Sequence, residues 1–216
     1  MSKSGAHKIV TTLQENGFIV QNISTKKYSL GPALLRLGSV YTEQKKIYDI
    51  AYPIMKEISN ITKETVALSL REGNYGIVAY RLESDKVIKL HKKAGTKYPI
   101  NAGATGKLLG AYQSKELIEK LLKTEGLNQY TENTIMDIQK LFEEYENIRK
   151  KGYAISDSEK NIGNFAIAAP IYDNEKNVWS CLTLVGLKKD FPEEKLNDWI
   201  QLVINGALEI SYKLGY

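Results

Sequence analysis

The stretch GTKYPINAGATGKLLGAY, residues 95–112, decides how the rest of the chain is read. Its small residues Asn101-Ala102-Gly103-Ala104-Thr105-Gly106 run straight into the apolar residues of a helix, expected from about Thr105 to Tyr112. Amides at a helix start have no partner inside the helix, and small side chains leave room for an anion to reach them. The run reads either as the floor of an acid-binding pocket or as a helix trimmed to pack closely on a sheet. The residues alone leave both readings open.

Working outward, alternation over Thr65 to Leu70 and again over Ile77 to Leu82 predicts two strands joined by Glu72-Gly73-Asn74-Tyr75-Gly76. Glu83-Ser84-Asp85 then turns the chain into a third, Lys86 to His91, completing an antiparallel meander. Before it, Ile50, Ile54, Met55, Ile58 and Ile61 form the buried stripe of a helix. On the far side, helices are expected near Ser114 to Lys123 and Ile135 to Lys151, the latter stopped by Gly152. Strands follow over Tyr153 to Ser156, Phe165 to Tyr172 and Val178 to Gly186. A last helix opens on Asp190-Phe191-Pro192-Glu193-Glu194, whose acids suit its positive end. Residues 49–216 thus read as an α+β domain with one mainly antiparallel sheet flanked by helices.

The first 48 residues are different in kind. Ile9, Val10 and Leu13 predict a helix from Ser4 to about Glu15, stopped by Asn16-Gly17. Short strands at Phe18 to Gln21 and Lys27 to Leu30 flank a basic turn, Asn22 to Lys26, like the wing of a winged-helix module. Ser2, Ser4, His7, Lys8 and Thr11 could face a major groove, and Lys26 and Lys27 the phosphates beside the wing. A solvated amphipathic helix and hairpin is the plainer alternative. Thirty residues are too few to fold alone, since chains under about 40 usually need added support. A helix-turn-helix also has a supporting helix before its recognition helix, so residues 1–30 read as a winged helix-turn-helix truncated at its N-terminal side. Residues 31–48, with Pro32 in the first turn and Leu34, Leu35, Leu37, Val40 and Tyr41 at helical intervals, form a linker helix.

Bulk properties exclude several classes. The chain has 216 residues, 43% of them hydrophobic, enough for one domain of ordinary size and a small appendage. No apolar run approaches the roughly 20 residues of a membrane span and no secretion signal opens the chain, so a cytoplasmic protein is expected. One cysteine, Cys181, and two histidines, His7 and His91, make neither a disulfide nor a convincing zinc site, and no metal or cofactor is expected. The net charge of +5 and pI near 9.0 are compatible with a polyanionic partner.

Together, KKYSLGPALLRLG, ETVALSLREG, GTKYPINAGATGKLLGAY, YTENTI, IRKKGYAISDSE and IAAPIYDNEKNVWSCLTLVG occur in an order and spacing that resemble the IclR (isocitrate lyase regulator) family of bacterial transcription factors. The resemblance covers nearly the whole chain. It implies a winged helix-turn-helix, a linker helix and an effector domain like the GAF and profilin-like folds. It also implies homodimers, commonly paired into homotetramers, that change their grip on an operator in double-stranded DNA when a small carboxylate-bearing metabolite binds. His7 falls where the family often has His before a basic residue.

The resemblance also implies an effector site. The amides that hold the effector carboxylate fall on Ala104 and Thr105, just after Gly103. The acidic turn falls on Ser156-Asp157-Ser158-Glu159, with Ser156 where Asp is frequent. A frequent cysteine is replaced by Ala166, and two serines become Thr183 and Val185. Fewer polar groups than in the family pattern imply an effector larger or less polar than a short keto acid. Read without the resemblance, Thr183 and Val185 could be ordinary strand residues, Ser156 and Asp157 turn residues, and Lys107 a solvated helix residue with no ligand role. Ser156, Asp157 and His91 can be written as a catalytic triad, yet no G-x-S-x-G elbow accompanies them, and an enzyme is not expected. The remaining alternative is a ligand-binding or oligomerisation module that no longer binds DNA because its helix-turn-helix is incomplete.

Overall fold

The computed structural model describes every residue except Met1, Lys46, Gly73, Asn74 and residues 87–96; for residues 40–45 it describes the backbone only. The chain divides into two compact units, Met1–Tyr48 and Asp49–Tyr216.

In the first unit, α1 (Lys3–Glu15) is capped by Ser2, whose Oγ accepts from Gly5 N–H at 3.2 Å. Gly17, at φ 73°, turns the chain after α1 into the hairpin β1 (Ile19–Gln21) and β2 (Tyr28–Leu30). Asn22 Oδ1 accepts from the amides of Ser24 and Thr25, an Asx-type turn that fixes the hairpin tip. Helix α2 (Ala33–Lys45) follows, with Leu34, Leu35 and Leu37 exposed.

In the second unit, six strands form one sheet, β3 (Thr65–Glu72), β4 (Tyr75–Leu82), β5 (Lys97–Tyr98), β6 (Ala154–Asp157), β7 (Asn164–Tyr172) and β8 (Val178–Leu187). Their order is β5-β4-β3-β8-β7-β6, antiparallel at every pairing. The expected third strand of the meander, Lys86 to His91, lies almost wholly outside the described residues, as do His91 and the first two residues of the opening stretch. Among the described residues, β4 pairs with the two-residue β5 on the side away from β3.

The period-two alternation of β8 separates two cores. Cys181 joins Ala168 and Ala154 under α4 (Ala104–Ala111), α5 (Lys115–Glu125) and α6 (Ile138–Lys151), with Leu108, Ile118, Leu141, Tyr145 and Ile148. Leu182 faces the other way, near Gly206 of α7 (Glu193–Lys213) and beside Ile54 and Ile58 of α3 (Ile47–Thr62). The result is a curled antiparallel sheet sandwiched between helices, an α+β fold.

Close approach explains why α4 is built from small residues. A Cβ on Gly106 would lie 1.8 Å from Pro99 O, and one on Gly110 2.4 Å from the Tyr145 hydroxyl, which donates to Ile100 O at 3.0 Å. The tight-packing reading of the glycine-rich run therefore applies to these two positions.

Candidate functional site

The sheet register gathers most of the residues expected to line an effector site. Ser156 of β6 lies opposite Ala166 of β7, and Ala166 opposite Val185 of β8, so the three form one row across neighbouring strands. One row along, Thr183 pairs with Ala168 and with Ala67 of β3. Above these rows stands the N-terminal end of α4, where Gly103 at φ 84°, ψ 144° turns the chain into the helix. Thr105 Oγ1 meets Thr183 Oγ1 at 3.0 Å, which ties the helix start to the sheet. Gly103, Ala104, Thr105, Ser156, Ala166, Thr183 and Val185 line one cavity of about 30 Å³. That volume holds one or two waters. A metabolite needs it to open.

The polar groups in this cavity are arranged for an acceptor-rich guest. Among the described residues, no acceptor reaches the Ala104 and Thr105 amides, which begin the helix and lack an intrahelical partner. Ser156 is 6% exposed and its hydroxyl has no hydrogen-bond partner among the described residues. Tyr98, Lys160 and Asn164 also belong to the lining. Burial pushes the Tyr98 phenol up to about 12, so it stays neutral at physiological pH. Complete burial likewise pushes the Cys181 thiol up to about 12, leaving it protonated and unsuited to attack as a thiolate.

Asp157 does not share this cavity. Alternation along β6 turns it away from Ser156, and its carboxylate pairs with the Lys188 ammonium at 2.6 Å. That hydrogen bond, with one from the Ser158 hydroxyl, holds the Asp157 carboxyl below its ordinary range. Its role here is to anchor the β6–β7 turn.

Glu159, from the acidic turn that the resemblance marked, and Lys107 form a buried ion-pair network that reaches the lining residue Gly103. Glu159 Oε2 accepts from Gly103 N–H at 2.9 Å, so an internal carboxylate already occupies the first amide of the helix start. Its other oxygen accepts from Lys107 at 2.7 Å, and Lys107 also donates to Glu144 at 2.7 Å. Lys107 is 2% exposed; it is a buried structural cation and not a solvated helix residue. Thr134 Oγ1 donates to Glu159 O at 2.7 Å, and Thr131 Oγ1 to Ser158 O at 2.7 Å, so the YTENTI segment fixes the turn that carries the carboxylate. Lys160, the next residue, places its ammonium 4.9 Å from the Tyr98 ring centre and 3.0 Å from Lys97 O.

In the first unit the residues considered for DNA lie on the outside. Ser2, Ser4, His7, Lys8, Lys26 and Lys27 are exposed and Thr11 is half-buried. His7 Nδ1 and Thr11 Oγ1 are 3.1 Å apart, and the Ser2 and Ser4 hydroxyls 3.2 Å. Lys26 sits at φ 58° at the hairpin tip. Among the described residues no carboxylate pairs with Lys8, Lys26 or Lys27. No group of three His, Cys, Asp or Glu among them could hold a metal ion, and no described helix is long and apolar enough to cross a membrane.

Comparison with known proteins bears on what this arrangement serves. Residues 39–212 match the family described as "Bacterial transcriptional regulator IclR C-terminal". The HTH-type transcriptional regulator KipR of Bacillus subtilis is 32% identical over 216 residues, covering 100% of this chain and 86% of that protein. The transcriptional repressor IclR of Escherichia coli is 25% identical over 217 residues, with 79% of its length covered. Among solved structures, Thermotoga maritima IclR aligns with a TM-score of 0.78 at 33% identity over 100% of this chain and 87% of its own. A regulator from Alicyclobacillus acidocaldarius, at 24% identity and a TM-score of 0.84 over 100% of this chain and 86% of its own, agrees in fold. These relatives are transcriptional regulators and not enzymes. With a family match over most of its length and whole-chain similarity to such regulators, the chain belongs to the IclR family of bacterial transcriptional regulators.

Proposed function

We propose that the chain is a ligand-responsive regulator in which residues 49–216 bind a small carboxylate-bearing metabolite and residues 1–30, the winged part of a helix-turn-helix, contact operator DNA. The observation that carries the reading is the convergence of unpartnered amides, Ala104 and Thr105, with the Ser156 and Thr183 side chains on one buried cavity. A carboxylate there would take charge-assisted hydrogen bonds from a helix start, where the aligned backbone dipoles favour an anion. Lys8, Lys26 and Lys27 would neutralise phosphates, while Ser2, Ser4, His7 and Thr11 would reach into the groove. Homodimers or homotetramers would join two such units on one operator.

For ligand to matter to DNA, it must favour one arrangement of the assembly by a coupling of about 1–3 kcal/mol. The linker residues 31–48 are the route we assign, with Leu34 and Leu37 exposed on α2. Melting curves against keto, hydroxy and aromatic acids test the pocket, because a ligand bound only by the folded state raises stability by mass action. An acid that raises Tm should also shift affinity for DNA from upstream of the gene, and Leu37→Glu should keep the Tm shift but lose the DNA response. Flat melting curves across the panel would remove the sensor reading.

A second reading, a ligand-binding or oligomerisation module without DNA affinity, draws on the exposure of Ile9 and Leu13, at 51% and 36%. An α1 without cover on its apolar side is a poor platform for reading DNA. A gel shift separates the two, since only the first retards an operator fragment.

A further inference from the structure

We infer that Lys160 is a second anion-binding group of the effector site and that the effector is a short dicarboxylate, one carboxylate on the Ala104 and Thr105 amides and the other on the Lys160 ammonium. The inference rests on the cavity being the effector site and adds the class of acid that fills it.

Three observations carry it. First, Lys160 lines the cavity and is half-buried, yet no carboxylate among the described residues pairs with it. Its ammonium makes do with a backbone carbonyl, Lys97 O, at 3.0 Å, and with the faces of Tyr98 and Tyr130 at 4.9 and 5.7 Å. Burial lowers its pKa and no anion offsets that, whereas the buried Lys107 has two carboxylates within 2.7 Å.

Second, the nearby carboxylates are committed elsewhere. Glu159 holds Gly103 N–H and Lys107, and Glu125 takes the Tyr75 hydroxyl. A half-buried cation whose neighbouring acids are engaged can be completed by an acid from solution.

Third, Lys160 stands between two hollows. Its Tyr98 contact belongs to the inner cavity of about 30 Å³, and its Tyr130 and Lys97 contacts to an outer one of about 150 Å³. The inner hollow alone holds only water. A chain with an acid at each end could lie across both, exchanging Lys97 O for a carboxylate on Nζ. Lys97, in the outer hollow, adds positive charge, opposed there by Glu125. A monocarboxylate satisfies the amides and leaves the ammonium on its neutral carbonyl.

The test compares succinate and glutarate with butyrate and valerate, which differ from them only in the second carboxylate. Calorimetry and melting curves are run on the full chain, on Lys160→Met, which keeps the alkyl stem, and on Ala166→Leu, which fills the inner cavity. Both variants are first shown to melt cooperatively. The diacids should bind the wild type about tenfold or more tighter than the monoacids, the worth of one charge-assisted hydrogen bond. Lys160→Met should erase that preference without weakening the monoacids, and Ala166→Leu should abolish both. Equal binding of both sets, or a preference that survives in Lys160→Met, overturns the role of Lys160. In that case loss of binding in Ala166→Leu still supports the effector site. If no acid binds the wild type, the dicarboxylate inference and the site reading both fall.

Discussion

Helices α1 and α4 set Lys8 and Lys107 in a comparable frame of small and apolar residues, and the two lysines end in opposite environments. None of the thirteen residues of α1 is buried, and all eight of α4 are. Lys8 points into solvent with no carboxylate beside it among the described residues, while Lys107 is clamped between Glu144 and Glu159. The difference lies in what surrounds each helix. The glycines of α4 let Pro99 O and the Tyr145 hydroxyl come within reach of its backbone, and α1 displays its side chains. A lysine that is enclosed must be paired; one on display remains available to a partner's phosphates.

The sharpest way to break this comparison is to remove the enclosed charge. Lys107→Met leaves the Glu159 and Glu144 carboxylates without their shared, buried counter-ion and should cost about 3–5 kcal/mol, read by urea unfolding. A loss under about 1 kcal/mol would mean that the triad behaves like a solvated pair. Next, Gly103→Ala puts a side chain on a residue at φ 84°, ψ 144° and should cost about 1–3 kcal/mol while weakening any acid-induced rise in Tm.

A smaller effect is read in the second unit through pH. Burial raises the Glu64 carboxyl above its ordinary 4.5, against the opposing pull of Lys86. A raised value means that the folded protein takes up this proton more readily than the unfolded chain. The stability so contributed is complete below about 4.5 and is lost as pH rises through the raised value. Glu64→Gln should flatten that limb of the stability–pH curve, measured by denaturant midpoints across mildly acidic buffers. Least of all, Lys8→Gln should change stability by under about 0.5 kcal/mol. It should nonetheless lower the slope of log affinity for DNA against log salt by about 1. An unchanged slope would take Lys8 out of the phosphate contacts.

Much of this architecture could be read from periodicity, because local pattern suffices for an element. Ile54, Met55 and Ile58 marked α3, and Asn16-Gly17 and Gly152 marked where α1 and α6 stop. The pairing of β3 with β8 could not be read, since it joins residues more than 100 positions apart and no local rule links Thr65 to Val185. The tight-packing and open-amide readings of the glycine-rich run turned out to apply to different residues of it. Gly106 and Gly110 serve close approach, whereas Ala104 and Thr105 present free amides.

At the candidate site, the resemblance supplied residues that the register then gathered, with Asp157 the exception. Strand alternation alone could have flagged it: Ser156 and Asp157 are neighbours on β6, so one cavity cannot take both side chains. The resemblance marked Glu159 only as part of an acidic turn and not as the partner of Gly103 and Lys107, and Lys107 and Lys160 had no such signal. Their roles depend on contacts to Gly103, Glu144 and Lys97, each separated by tens of residues.

The cover over β6 has a further consequence. This outermost strand has only four residues, and Asn133 Nδ2 donates to Asp157 O at 3.3 Å, while Thr131 and Thr134 take the carbonyls of Ser158 and Glu159 beyond it. Carbonyls engaged by side chains cannot accept a strand from another molecule. The segment that steadies the Glu159 turn thereby also blunts one margin of the sheet where stray polypeptides could template.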